Sequence, residues 1–148
     1  MNLLPKNIVE FLGSNKLATV CFVDNEGNPY CINCFYYFDE EHQSLVFKSS
    51  NKATHHSFIQ NGSGIAGTIL PNSLDFLKLK GAQFTGKLLT ENQIKEFNLD
   101  SKYTKKHPMS MAISGYAWAV ELNFVKFMDS TFGFGKDTVW GNVDLKQK

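Results

Sequence analysis

The sequence predicts a mainly β (α+β) fold: a closed or partly closed antiparallel barrel of six or seven strands with peripheral helices. Three observations carry that expectation. Residues 17–23, 30–38 and 44–48 are successive runs rich in β-branched and aromatic side chains. Only Asp24-Asn25-Glu26-Gly27-Asn28-Pro29 and Asp39-Glu40-Glu41 separate them, which are turn-forming stretches that join antiparallel neighbours. Further strand-like runs follow at 64–70, 76–89, 116–122 and 125–128, with a few helical segments at the ends.

In chain order, residues 5–12 read as a short helix, with Pro5 suited to its first turn and Gly13 to its stop. The three-strand meander comes next. Residues 51–60 read as a helix whose start is crowded with Lys48, Ser49, Ser50, Asn51, Lys52 and Thr54. The long run 76–89 contains Gly81 and Gly86, which can bend a strand or admit another chain closely. Thr90-Glu91-Asn92-Gln93 fits a capping box opening a helix to about Asp100. Residues 102–114 read as a loop with a short helix after Pro108. The tail holds Phe132-Gly133-Phe134-Gly135-Lys136 and Trp140.

The chain of 148 residues suits one domain, spanning 1–148, with no repeat, linker or low-complexity segment. A net charge of +1 and no dense basic run leave no field for nucleic acid. No apolar run approaches the roughly 20 residues that span a bilayer, and the start lacks a secretory signal pattern. Three cysteines without an export signal point to reduced thiols and a cytoplasmic location.

Several motifs fail on context. Gly62-Ser63-Gly64-Ile65-Ala66-Gly67 spells a dinucleotide fingerprint, yet a helix precedes it and Pro71 follows too soon for a helix behind it. Gly135-Lys136-Asp137 lacks the other residues of a P-loop. Cys31-x-x-Cys34 on an extended strand points to opposite faces, so no metal site is expected. His55 and His56 diverge on a helix and are read as surface or partner-facing. No convincing acid/base or nucleophile set emerges, so catalytic residues remain unassigned. What stands out is the basic turn: lysines beside a helix start oppose its partial positive charge, and a bound anion, typically phosphate, reverses that sign.

With these motifs in order, the chain resembles the pyridoxamine 5′-phosphate oxidase-like, FMN-binding split-barrel superfamily, over about residues 17–86 and more loosely beyond. Within it the likeness is greatest to a small bacterial branch. The carrying features are Cys31-x-Asn33-x-Phe35-Tyr36-x-Phe38, Gly81-x-Gln83-Phe84-x-Gly86 and Gly133-Phe134-Gly135-Lys136 with Trp140.

The resemblance implies a homodimer with FMN in an inter-subunit cleft. Lys52 matches the family's basic phosphate contact and Ser49 its hydroxyl contact, with Lys48, Ser50 and Asn51 beside them. Asn51 stands where the oxidases carry a second basic residue, and Ile32 and Tyr37 replace their second-strand arginine and lysine. Asn33, Cys34 and Phe35 are expected to line the flavin ring through backbone groups and packing, Gln83 to meet it, and Lys136 to reach it from the other subunit. The C-terminal arginine–histidine grip on pyridoxal-type substrates is missing, which argues against a true pyridoxamine-phosphate oxidase.

Two functions follow. One is an FMN-dependent oxidoreductase drawing electrons from a reduced nicotinamide or small substrate. The other is a non-catalytic holder of flavin or haem for storage or sensing. A cofactor-free dimer with solvated Lys48 and Lys52 is the third reading.

Overall fold

The computed structural model describes residues 2–60, 64–131 and 137–141. Strict alternation builds β1 (Leu17–Val23): Ala18, Val20 and Phe22 are buried while the residues between them face outwards. β2 (Pro29–Asp39) and β3 (Ser44–Ser50) complete the expected meander. Asp24 sets the first turn, its carboxylate accepting the N–H groups of Glu26 and Asn28. β4 (Ile65–Ile69), β5 (Lys80–Leu88), β6 (Gly115–Asp129) and β7 (Asp137–Gly141) follow.

The strand order is β3-β2-β1-β4-β5-β6-β7, and β3 also pairs with β6. Six antiparallel strands thus close a barrel, and β7 extends β6 outside it. β6 does both because of its length. Its residues Gly115–Glu121 pair with β3, and on the same edge Phe124–Met128 pair with β7. Inside, Phe47 stacks on Trp118 with centroids 4.4 Å apart, and Val20, Phe22, Phe84 and Val120 fill the space around them.

Helix α1 (Lys6–Ser14) plugs one end with Ile8, Phe11 and Leu12. The Tyr36 hydroxyl donates to Leu12 O at 2.7 Å and pins this plug to β2. The helix runs past Gly13, and Asn15 Nδ2 then donates to Phe11 O at 2.8 Å. α3 (Glu91–Glu96) opens on the capping box, with reciprocal bonds between Thr90 and Gln93.

Five boundaries differ from the sequence reading. The helix expected over 51–60 is confined to α2 (His56–Gln60). Before it, Ser50 O accepts from Ala53 N–H and Ser50 Oγ from Lys52 N–H, the local competition by which such side chains displace helical bonds. The strand expected from residue 76 begins only at Lys80, because Asp75 closes a turn on the N–H groups of Leu77 and Lys78. The helix expected to reach Asp100 breaks at Asn98, which sits in the left-handed region with φ 54°. Part of the expected loop 102–114 is helical: α4 (Leu99–Lys106) buries Leu99 and Tyr103, one turn apart, against Val46 and Ala119. The 3₁₀ turn after Pro108 is present. Finally, 116–122 and 125–128 are parts of the single strand β6, and a register shift between Thr85 and Gly86 of β5 absorbs the irregularity near Asn123. Among the described residues no helix is long and apolar enough to cross a membrane.

Candidate functional site

The β2–β3 ladder ends at Tyr36 opposite Phe47, although both strands continue. From there β2 stays with β1, starting at Phe35 opposite Leu17. β3 stays with β6, through Lys48 opposite Ala117 to Ser50 opposite Gly115. The wall is therefore split. Asn33, Cys34 and Phe35 form one lip and Lys48, Ser49 and Ser50 the other, with Asn51 and Lys52 continuing the second lip around the strand end.

Alternation sorts these residues by side. Asn33, Phe35, Lys48 and Ser50 face outwards, with Asn33 and Phe35 exposed. Asn51 and Lys52 are exposed at the turn. Among the described residues neither Lys48 nor Lys52 pairs with a carboxylate.

Two of the expected site residues turn their side chains into the barrel. Ser49 is buried: its Oγ accepts from Trp118 Nε1–H at 2.7 Å and lies 2.8 Å from His55 Nε2. Its hydroxyl is committed to the barrel interior and holds the basic turn in place, so it does not open toward a ligand. Cys34 likewise points inwards. Burial pushes its thiol up to about 11, partly offset by a hydrogen bond with Ser49, and only its backbone can face a ligand.

Gln83 is not brought to the split. It lies on an exposed cross-strand row, Asn33–Thr19–Thr68–Gln83, three strands from β2. At about 4.8 Å per strand that is roughly 14 Å from Asn33, on the far side of β1 and β4 from the split. Lys136 lies outside the described residues.

Three positioning residues were missed. His55 is buried, stacked on Phe22 at 5.6 Å, not surface-facing. Burial, with His56 nearby, lowers its pKa. Its spacing to Phe58 and Ile59, three and four residues on, is the inward pattern that could have flagged it. Tyr103 Oη donates to Phe35 O at 3.3 Å, and His107 Nε2 lies 2.8 Å from Tyr36 O. They occupy the backbone that β3 abandons. No local sequence signal announces that role, because it depends on how α4 docks.

Beyond Asn51 a cleft of about 570 Å³ runs between His56, Leu88, Glu91 and Tyr116. The Tyr116 hydroxyl is buried there without a hydrogen-bond partner among the described residues. Among the described residues no cluster of His, Cys, Asp and Glu could hold a metal ion. Two ammonium groups, a hydroxyl, amides and an exposed phenyl ring form a donor set that fits a phosphate ester carrying a flat heteroaromatic ring.

No family model matches the chain. The chain is 31% identical over 134 residues to the UPF0306 protein YhbP of Escherichia coli O127:H6, covering 90% of this chain and 94% of that relative. It is 29% identical over 133 residues to the UPF0306 protein of Cronobacter sakazakii, covering 90% and 92%. Among solved structures, a haem-binding protein from Mycobacterium smegmatis superposes with a TM-score of 0.75 at 14% identity, over 95% of this chain and 60% of that one. An FAD- and haem-binding protein of the same organism gives 0.63 at 15%, over 94% and 82%. A Clostridium acetobutylicum protein related to general stress protein 26, of the pyridoxinephosphate oxidase family, gives 0.60 at 14%, over 94% of each chain. At these identities the likeness is one of fold, the pyridoxamine 5′-phosphate oxidase-like split barrel.

Proposed function

The chain belongs to the UPF0306 family, and from the split in its barrel wall we propose that it is an FMN-binding flavoprotein, working as an oxidoreductase with a reduced nicotinamide or small substrate as electron donor. The observation that carries this is the pair Lys48 and Lys52, without carboxylate partners among the described residues, on the lip facing Asn33 and Phe35. The chain contains no arginine, so the phosphate is met by lysine point charges and neutral donors instead of a planar fork. Ser50 and Asn51 supply those neutral donors. Asn33 and the backbone of Cys34 and Phe35 orient the ring, and Ser49, held by Trp118 and His55, positions the turn. The flavin, when bound, supplies the hydride and electron chemistry.

The second subunit of a homodimer contributes Gln83 and Lys136. Its docking line is Phe35, Leu17 and Leu70, exposed apolar side chains beside the polar row on the outer face. The fold neighbours described as binding FAD or haem support a ligand in such a barrel. They support a second reading about equally: a non-catalytic holder of flavin or haem. That reading is favoured by the outward-facing lips, whose side chains Asn33, Phe35, Lys48, Ser50, Asn51 and Lys52 include no carboxylate or imidazole to move a proton.

The phosphate assignment is tested by ligand pairs. Lys52→Ala is expected to weaken FMN about tenfold or more while leaving riboflavin, which lacks the phosphate, little changed. Equal losses for both ligands would remove Lys52 from the phosphate. Turnover of a reduced nicotinamide by the flavin-loaded protein favours the enzyme, and bound flavin without turnover across several donors favours the holder.

A further inference from the structure

Cys21 and Cys31 lie directly opposite one another on β1 and β2, with their sulfurs 2.6 Å apart as free thiols. The ladder's phase makes this a suitable place for a bond. Asp24 N–H donates to Asn28 O and Tyr36 N–H to Lys16 O, so those pairs are hydrogen-bonded ones. Alternation from either end leaves Cys21–Cys31 as a non-hydrogen-bonded pair, where Cα atoms stand about 4.5 Å apart. That separation falls inside the range a disulfide spans, about 4.4–6.8 Å.

We propose that Cys21 and Cys31 form a reversible oxidation site, at which a peroxide converts the two thiols to a cross-strand disulfide. Access favours it. Cys31 is exposed, and the residue across from Cys21 on the other side is Ala66, too small to cover the sulfurs. A cleft of about 470 Å³ bordered by Cys21, Val23, Pro29 and Thr85 admits a small oxidant.

The two thiols are unequal in access: burial, then the hydrogen bond and charge of Cys31, push the Cys21 thiol up to about 11, whereas Cys31 is exposed, so the peroxide meets Cys31 first. The Cys31 thiolate attacks one peroxide oxygen; an S–O bond forms, the O–O bond breaks, and the departing hydroxide takes a proton to become water. Cys21 sulfur then attacks Cys31 sulfur; the S–S bond forms, the S–O bond breaks, and the leaving hydroxyl takes the Cys21 proton as a second water. Two thiols and one peroxide give one disulfide and two waters, with the two electrons passing to the peroxide oxygens. Cys34 cannot substitute, because it faces the interior beside Ser49.

The experiment is exposure of the reduced full chain to hydrogen peroxide, then alkylation of remaining thiols and cleavage at Glu26, which lies between the pair, with fragmentation of the linked peptide in the mass spectrometer to separate Cys31 from Cys34. The expected result is loss of two alkylatable thiols, a Cys21–Cys31 cross-linked peptide lacking two hydrogens, and full reversal by dithiothreitol. Cys34→Ser is expected to form the same cross-link and Cys31→Ser to lose it. Three thiols still alkylated after peroxide, a bond through Cys34, or a cross-link joining two chains would overturn the proposal, and each is read on the wild-type protein.

Discussion

Asp39 is a carboxylate with 3% side-chain exposure that holds Lys102 Nζ at 2.9 Å and takes His42 on its other oxygen. Burial alone would raise its pKa; the hydrogen bonds from Lys102 and His42 and the Lys102 charge outweigh that and hold it below the usual carboxylate range. A depressed carboxyl stabilises the fold above its unfolded value of about 3.9, and that contribution is lost as pH falls through the lower folded value. Removing Lys102 strands a buried charge, so Lys102→Met is expected to cost about 2–4 kcal/mol in denaturant unfolding at pH 7. The deficit should shrink below about pH 4, where Asp39 can be protonated. His55 acts in a higher window. Its pKa is lowered, by burial first, so its contribution is full above about 6.5 and declines as pH falls toward the folded value. His55→Gln is expected to flatten the stability profile below about pH 6.5, measured by thermal unfolding. At this scale the outward orientation of Lys48, Lys52 and Asn33 follows from alternation and turn chemistry. The bond of the Ser49 hydroxyl to Trp118, 69 residues away, has no local signal in the sequence.

Gly81 and Gly86 look alike in the sequence, and the strand separates them. A Cβ at Gly86 would stand 2.3 Å from Glu121 O and 2.5 Å from Val120 Cγ1, at the register shift between β5 and β6. At Gly81 nothing comes nearer than Ile69 O at 3.6 Å. Gly86→Ala is therefore expected to cost about 1–3 kcal/mol or more and Gly81→Ala almost nothing, read from paired chemical denaturation curves. Thr90→Ala removes the cap that bonds Gln93 N–H and is expected to cost about 0.5–2 kcal/mol in the same assay. Strands and the capping box were readable because their signals are local, a period of two and a four-residue box. The helix α4 was not, because Leu99 and Tyr103 gain their burial only from Val46 and Ala119 on distant strands. The premature helix start at residue 51 failed for the opposite reason: Ser50 offers its own oxygens to the N–H groups of Lys52 and Ala53.

For the whole molecule, closure of β3 onto β6 creates the barrel, and the shortness of the β2–β3 ladder creates the opening. A closed or partly closed barrel was foreseeable from the order of strand-like runs and the split only from the family resemblance; where the split falls required the register. The outer face leaves Phe35 58% and Leu70 53% exposed. With a second subunit on that line, Phe35→Glu combined with Leu70→Glu is expected to halve the mass seen by light scattering, whereas an unchanged mass would place the contact elsewhere. The central claim is that the split grips a flavin mononucleotide, and equilibrium titration of the purified full chain with FMN tests it most directly. The account expects saturable binding, a shifted flavin absorbance spectrum and a marked loss of affinity in the Lys48→Ala, Lys52→Ala double variant. An unperturbed flavin spectrum at every protein concentration, or equal binding by the double variant, would contradict it.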